Sequence, residues 1–136
     1  MRHILDAGPL IAALNRQDTH HDWAVQTLQR LGPPFYSCAE AMAEVAAMTG
    51  QPSAVVEMIA SREILLNFAL AEQAAAVLRL LKKYADLRMD LADACIVRMA
   101  ELVRDCRVVT VDRTDFSVYR RNGRDLIPLV APPVEP

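Results

Sequence analysis

Arg2-His3-Ile4-Leu5-Asp6-Ala7-Gly8-Pro9-Leu10-Ile11-Ala12-Ala13-Leu14 starts as a short apolar run and changes character at Asp6. Asp, Gly and Pro in close succession punctuate a strand-to-helix turn. Residues 2 to 5 are therefore expected as a strand, with Pro9 in the first turn of a helix through Leu10, Ile11 and Leu14. The alternation continues outward. Asp18 or Thr19 is placed to cap a second helix that carries Trp23, Leu28 and Leu31 inward and stops at Gly32-Pro33-Pro34. Phe35-Tyr36 reads as a brief strand. Ser37-Cys38-Ala39-Glu40 has the spacing of a capping box, opening a helix through Met48. Gly50 and Pro52 separate it from a helix over Ser53 to Ala60, and Ile64-Leu65-Leu66 is the next strand. Ala71 to Tyr84, rich in Ala, Leu and Lys with no internal Gly or Pro, reads as a long helix. Beyond a loop over Ala85 to Met89, Asp90-Leu91-Ala92-Asp93 opens a helix toward Val103. Val108 to Val111 is a β-branched strand ending at Asp112, and Leu126-Ile127 with Leu129-Val130 is a last short strand interrupted by Pro128. Strands alternating with helices imply an α/β fold with a mainly parallel central sheet of four or five strands, because parallel neighbours need crossovers and crossovers cover both faces.

The 136 residues suit one domain, expected over 1–136, and 53% hydrophobic against 24% charged residues argue against disorder. No apolar run is long enough to cross a bilayer, and Asp6 interrupts the start of the chain before a signal-peptide core develops, so a cytoplasmic protein without a membrane partner is expected. Cys38, Cys95 and Cys106 are odd in number and lack C-x-x-C spacing. They read as small core residues of a reducing compartment, with neither a disulfide framework nor a zinc knuckle. A net charge of −2 gives no global case for nucleic-acid binding. Yet residues 79 to 124 hold 11 of the 15 basic side chains against 7 of the 17 acidic ones, a local excess of +4 whose ordinary use is solvated helix faces.

Ligands of open α/β sheets bind beyond the carboxyl ends of the strands. Asp6 and Asp112 follow strands, Asp93 lies in the first turn of the preceding helix, and Glu44 sits two turns into a helix among Ala41, Met42, Ala43, Val45 and Ala46. Gathering carboxylates is unfavourable unless a cation compensates them. Acids without His or Cys select Mg²⁺ or Mn²⁺ over zinc, and phosphodiester hydrolysis is the natural use of such a site. Each acid also has an ordinary structural use. Asp6 suits an Asx turn or cap, Glu40 the capping-box partner of Ser37, and Glu44 an exposed helix face. Asp90 and Asp93 suit first-turn positions, and Asp112 and Asp115 suit turn residues. A convergence of four acids at one sheet edge is harder to explain by four separate structural uses.

In order and approximate spacing, Ile4-Leu5-Asp6-Ala7-Gly8-Pro9-Leu10-Ile11-Ala12, Ala39-Glu40-Ala41-Met42-Ala43-Glu44-Val45, Asp90-Leu91-Ala92-Asp93-Ala94 and Val109-Thr110-Val111-Asp112-Arg113-Thr114-Asp115-Phe116 resemble the motifs of PIN-domain nucleases, VapC-like toxins in particular. The resemblance spans nearly the whole chain. It implies a PIN-like (Rossmann-like) three-layer sandwich, a Mg²⁺ or Mn²⁺ site, and an endoribonuclease that hydrolyses RNA as the toxin of a toxin-antitoxin pair. It also implies a homodimer with a cognate antitoxin as partner. By the same resemblance Asp6, Glu44, Asp93 and Asp112 match the catalytic, metal-holding quartet, Asp115 an accessory acid, and Asp90 a helix-start acid. One departure stands out: many relatives carry Thr or Ser after the first Asp, whereas Ala7-Gly8 stand here, and Gly8 permits close backbone approach.

Arg113, Arg120, Arg121 and Arg124 follow the expected metal site, where guanidinium groups reach RNA phosphates, with a solvated loop as the ordinary alternative. Tyr119 suits either base stacking or packing under that loop, and His20 and His21 suit either a transition metal or an exposed helix end. A reading from another class is a catalytically silent α/β interaction module, with apolar helices around Ala41 to Met48 and Ala71 to Leu81 covering a partner or a second subunit. A magnesium-dependent phosphatase or phosphoacceptor domain ranks below both, because its first strand is usually followed by adjacent acids and Asp6 is followed by Ala7.

Overall fold

A computed structural model describes residues 1–134 of the chain. β1 (Arg2–Leu5) leads through α1 (Ala7–Leu14) and α2 (His21–Leu31) to β2 (Phe35–Ser37). α3 (Ala39–Thr49) and α4 (Pro52–Ala60) lead on to β3 (Ile64–Leu66). α5 (Leu70–Lys83), a single 3-10 turn (Ala85–Leu87) and α6 (Leu91–Leu102) lead to β4 (Cys106–Val109). α7 (Arg113–Val118), the short strands β5 (Arg120–Arg121) and β6 (Asp125–Leu126), and β7 (Leu129–Val130) complete it. Five strands form one parallel sheet in the order β3-β2-β1-β4-β7, flanked by helices as a Rossmann-like three-layer sandwich.

β1 and β4 are central because both their faces are apolar, as a parallel strand covered on both sides requires. Ile4, Leu5, Val108 and Val109 are each no more than 1% exposed, and burying side chains of this size contributes about 1.5–3 kcal/mol apiece. α6 lies against this centre on Ala92, Ala94, Cys95, Ile96, Val97, Met99 and Ala100, all buried, and its small side chains permit close approach. The three cysteines are free and buried. From β1 the chain winds outward through β2 to β3, and from β4 it goes the other way to β7. The direction of winding therefore reverses between β1 and β4, which makes the carboxyl end of that pair the crevice of this sheet.

Several local expectations are corrected. Ser37 and Glu40 form no capping box: Ser37 Oγ donates to the Leu5 carbonyl at 2.7 Å, tying β2 to β1, and Cys38 holds the N-cap position of α3 without a side-chain cap. Asp18 does not cap α2; its Oδ1 accepts the His20 N–H at 2.8 Å in the turn before the helix. The strand expected over Val108 to Val111 runs two residues earlier, because Arg2 pairs with Cys106 and Leu5 with Val109. The expected final strand is divided. Asp125–Leu126 pairs antiparallel with Arg120–Arg121, and only Leu129–Val130 joins the main sheet. The stretch after Asp112 is a helix, capped by Asp112 Oδ1 accepting the Asp115 N–H at 3.0 Å and anchored by buried Phe116 and Tyr119, whose rings meet edge to face at 5.3 Å. Among the described residues no helix is long and apolar enough to cross a membrane.

Gly8 brings α1 against the segment that leaves β4: a Cβ there would overlap Val111 Cγ2. Val111 is β-branched and has few rotamers to yield with. Gly8→Ala is expected to destabilise the fold by about 1–3 kcal/mol. Adding Val111→Ala should recover much of that loss in thermal melts, and additive losses in the double variant would contradict the contact.

Candidate functional site

The crevice is built from backbone geometry first. The Asp6 N–H donates to the Val109 carbonyl at 3.0 Å, which extends the β1–β4 pairing by one residue and draws the Asp6 carboxylate to 6% exposure. Thr110, fully buried at the end of β4, donates its Oγ1 proton to Asp6 Oδ2 at 2.8 Å and accepts the Asp112 N–H at 3.0 Å. One hydroxyl thus couples the end of β1 to the start of α7. At the head of α6, Asp90 Oδ1 caps the Asp93 N–H at 2.7 Å, which leaves the Asp93 carboxylate outside the capping role; its Oδ2 accepts the Tyr119 hydroxyl at 3.1 Å. Glu44, partly buried on α3, completes the group of acids.

The acids act on one another. Burial, chiefly, pushes Asp6 up to about 6; the charges of Glu44 and Asp90 add to this, and the bonds from Thr110 and the Ala7 N–H oppose it. Asp93 is pushed up to about 8, first by burial and then by the charges of Asp6, Asp90 and Asp112, against the Tyr119 hydrogen bond. Glu44 is raised by burial and by Asp90. Asp115 is raised by its hydrogen bond to Asp112, by burial, and by the charges of Asp112 and Asp90. Tyr119 is held above the ordinary phenol range by burial and by Asp93 and Asp115.

The fold therefore brings Asp6, Glu44, Asp93 and Asp112 into one electrostatic neighbourhood with Asp90 and Asp115. Among the described residues the two ion pairs, Met1 amino group to Asp105 at 3.4 Å and Arg98 to Glu101 at 3.3 Å, involve none of these six. Nor, among the described residues, are any three His, Cys, Asp or Glu side chains already gathered into a coordination sphere. The acids feel one another without touching as a chelate, the arrangement expected of like charges that repel. An apolar cavity of about 270 Å³, lined by Leu5, Leu10, Leu28, Phe35, Met58 and Ile64, contains none of them.

The remaining candidates occupy other roles in the structure. Arg113 Nη2 donates to the Ala131 and Pro132 carbonyls at 3.3 Å. Arg120 Nη1 donates to the carbonyls of Ser117, Val118 and Tyr119 and closes the end of α7. Arg121 Nη1 donates to the Arg104 carbonyl at 2.9 Å. Arg124 is exposed. Tyr119 is packed in the interior, and His21 Nδ1 sits 2.8 Å from the Ala12 carbonyl. Glu40 turns inward with Oε1 buried and unpaired, beside Cys95. Thr110 and the Tyr119–Asp93 bond were not foreseen as parts of the site. The hydroxyl two residues before Asp112 is the signal for the first, and no local pattern announces a contact 26 residues apart.

No family model matches this sequence, and no curated protein matches it at a significant level.

Asp6 and Asp93 both stand above the ordinary Asp value of 3.8, so the folded protein holds protons that the unfolded chain releases. The stabilising contribution is complete below about pH 4 and is lost as pH rises through about 6 for Asp6 and about 8 for Asp93. In chelator, Tm is expected to fall across this window and to fall less in Asp93→Asn. Identical pH profiles for the two proteins would contradict the assignment.

Proposed function

We propose that the chain is a metal-dependent ribonuclease that hydrolyses RNA phosphodiester bonds, with Asp6, Glu44, Asp93 and Asp112 as the catalytic, metal-holding carboxylates and Asp115 as an accessory acid. The observation that carries this reading is the concentration of six carboxylates at the crevice between β1 and β4, with no cationic side chain paired to any of them among the described residues. A protein that crowds acids in this way, with Asp6 buried among them, holds them protonated or supplies a cation. Oxygen donors without His or Cys fit Mg²⁺ or Mn²⁺. Bound there, such an ion polarises a phosphoryl oxygen and lowers the pKa of a water.

The chain's own groups then have distinct tasks. Thr110 orients Asp6 through Oδ2, and Tyr119 orients Asp93 in the same way. Asp90 and Asp112 hold the first turns of α6 and α7 at the crevice. Arg113 and Arg120 keep guanidinium N–H groups beyond those given to backbone carbonyls, and these are the donors for RNA phosphates, whereas Arg121 is held on the Arg104 carbonyl at the amino end of β4, away from the crevice. The toxin role, with a cognate antitoxin and a homodimer, follows from the resemblance of the four motifs to VapC-like proteins. So does a cytoplasmic location.

Purified protein free of any inhibitor is expected to cleave RNA with Mg²⁺ or Mn²⁺ and to stop when chelator is added. Asp93→Asn should abolish cleavage while melting as a folded protein. Tyr119→Phe, which removes only the hydrogen bond to Asp93, should slow it about 10–100-fold. Cleavage that persists in chelator excludes the metal mechanism. A folded protein that cleaves nothing with either metal favours the silent interaction module.

A further inference from the structure

α5, α6 and the turn of the β5–β6 hairpin line an open surface cavity of about 280 Å³, whose charge is opposite to that of the crevice. Arg79 and Lys83 enter it from α5 and Arg98 from α6, with Glu101 the acid among the lining residues. Glu101 is already engaged through both oxygens: Oε1 pairs with Arg98 Nη1 at 3.3 Å, and Oε2 accepts the Asn122 N–H at 2.7 Å. Arg98 Nε is held by Gln73 at 2.8 Å. Among the described residues Arg79 and Lys83 have no acidic partner, so the cavity carries two uncompensated positive charges. Lys83 Nζ lies over the Tyr84 ring, 5.4 Å from its centroid, which directs the ammonium group toward the Gly123 turn.

The two sites of opposite sign are joined by a short aromatic bridge. Tyr84 meets Tyr119 edge to face at 5.1 Å, and Tyr119 donates to Asp93. Along α6, Asp93 and Arg98 are five residues apart, about 7.5 Å along the helix axis and about 140° around it, so the two side chains leave α6 on different faces. A polyanion approaching six carboxylates is repelled and must be gripped elsewhere. Arg and Lys together offer forked and point-charge donors suited to phosphate oxygens, and the cavity exceeds the ~30 Å³ share of a single water many times over.

We propose that the Arg79–Lys83–Arg98 cavity is a phosphate subsite that holds the backbone of a single-stranded RNA outside the carboxylate crevice. This rests on the nuclease reading above, and it gives a use to three of the eleven basic side chains of residues 79 to 124.

The test is fluorescence anisotropy of a labelled eight-nucleotide RNA with the full chain in chelator, where cleavage is absent, so that loss of catalysis and loss of this subsite are read separately. Arg79→Ala/Lys83→Ala should weaken binding about 10-fold and reduce the slope of log K against log salt by about 1.4, two phosphates at ~0.7 each. A control with two other exposed arginines changed, Arg16→Ala/Arg62→Ala, should bind as wild type. Wild-type protein that fails to bind the RNA, or a folded Arg79→Ala/Lys83→Ala variant with unchanged affinity and slope, overturns the proposal. So does inorganic phosphate raising the Tm of wild type but not of the variant while RNA affinity is equal in both, since the cavity would then take free phosphate.

Discussion

The hydrogen bond from the Asp6 N–H to the Val109 carbonyl continues the pairing of β1 with β4 past the last apolar residue of each strand, and it forces a carboxylate into the interior. Everything at the crevice follows from that constraint. The central strands are held by apolar burial on both faces, so their register cannot slip to relieve the acid. Thr110 and the Ala7 N–H answer the Asp6 carboxylate, but two neutral donors offset only part of the desolvation of a charge. The remainder appears as proton affinity, at Asp6 and more strongly at Asp93.

Structural and chemical uses of the acids are compatible here. Asp90 and Asp112 are N-caps, and capping is what delivers Asp93 and Asp115 to the same place, one turn into their helices. Helix N-termini also favour negative charge through the peptide dipoles, by about 0.3–1 kcal/mol each at exposed sites, which lessens the repulsion without cancelling it. The Tyr119 hydroxyl, on a ring packed against Tyr84, works in the same direction at Asp93. The arginines that follow Asp112 in the chain first serve the fold: Arg120 satisfies carbonyls at the end of α7, Arg113 carbonyls along the tail, and Arg121 the Arg104 carbonyl between α6 and β4.

What the sequence made legible was whatever depends on neighbours in the chain. The Asp-Ala-Gly-Pro turn, the Gly50–Pro52 break, the unbroken α5 and the Asp90 cap are local signals, and together they define the parallel five-stranded sheet and the end at which Asp6, Asp93 and Asp112 emerge. What failed depended on distant partners. Ser37 abandoned its capping box for a carbonyl 32 residues away. The segment after Asp112 became a helix and hairpin because Phe116 and Tyr119 found places in the core. The basic excess of residues 79 to 124 was visible as composition, but only packing of α5 on α6 and the hairpin turn gathers Arg79, Lys83 and Arg98 around one space.

The central claim is that remote carboxylates share a hard divalent cation at the crevice between β1 and β4. Anomalous diffraction from crystals soaked in Mn²⁺ reads this directly. The expected result is a manganese peak at this crevice, where Asp6, Asp93, Glu44 and Asp112 are the residues that would hold the ion. Saturating manganese that leaves this crevice without a peak, in crystals where all four carboxylates are ordered, would contradict it.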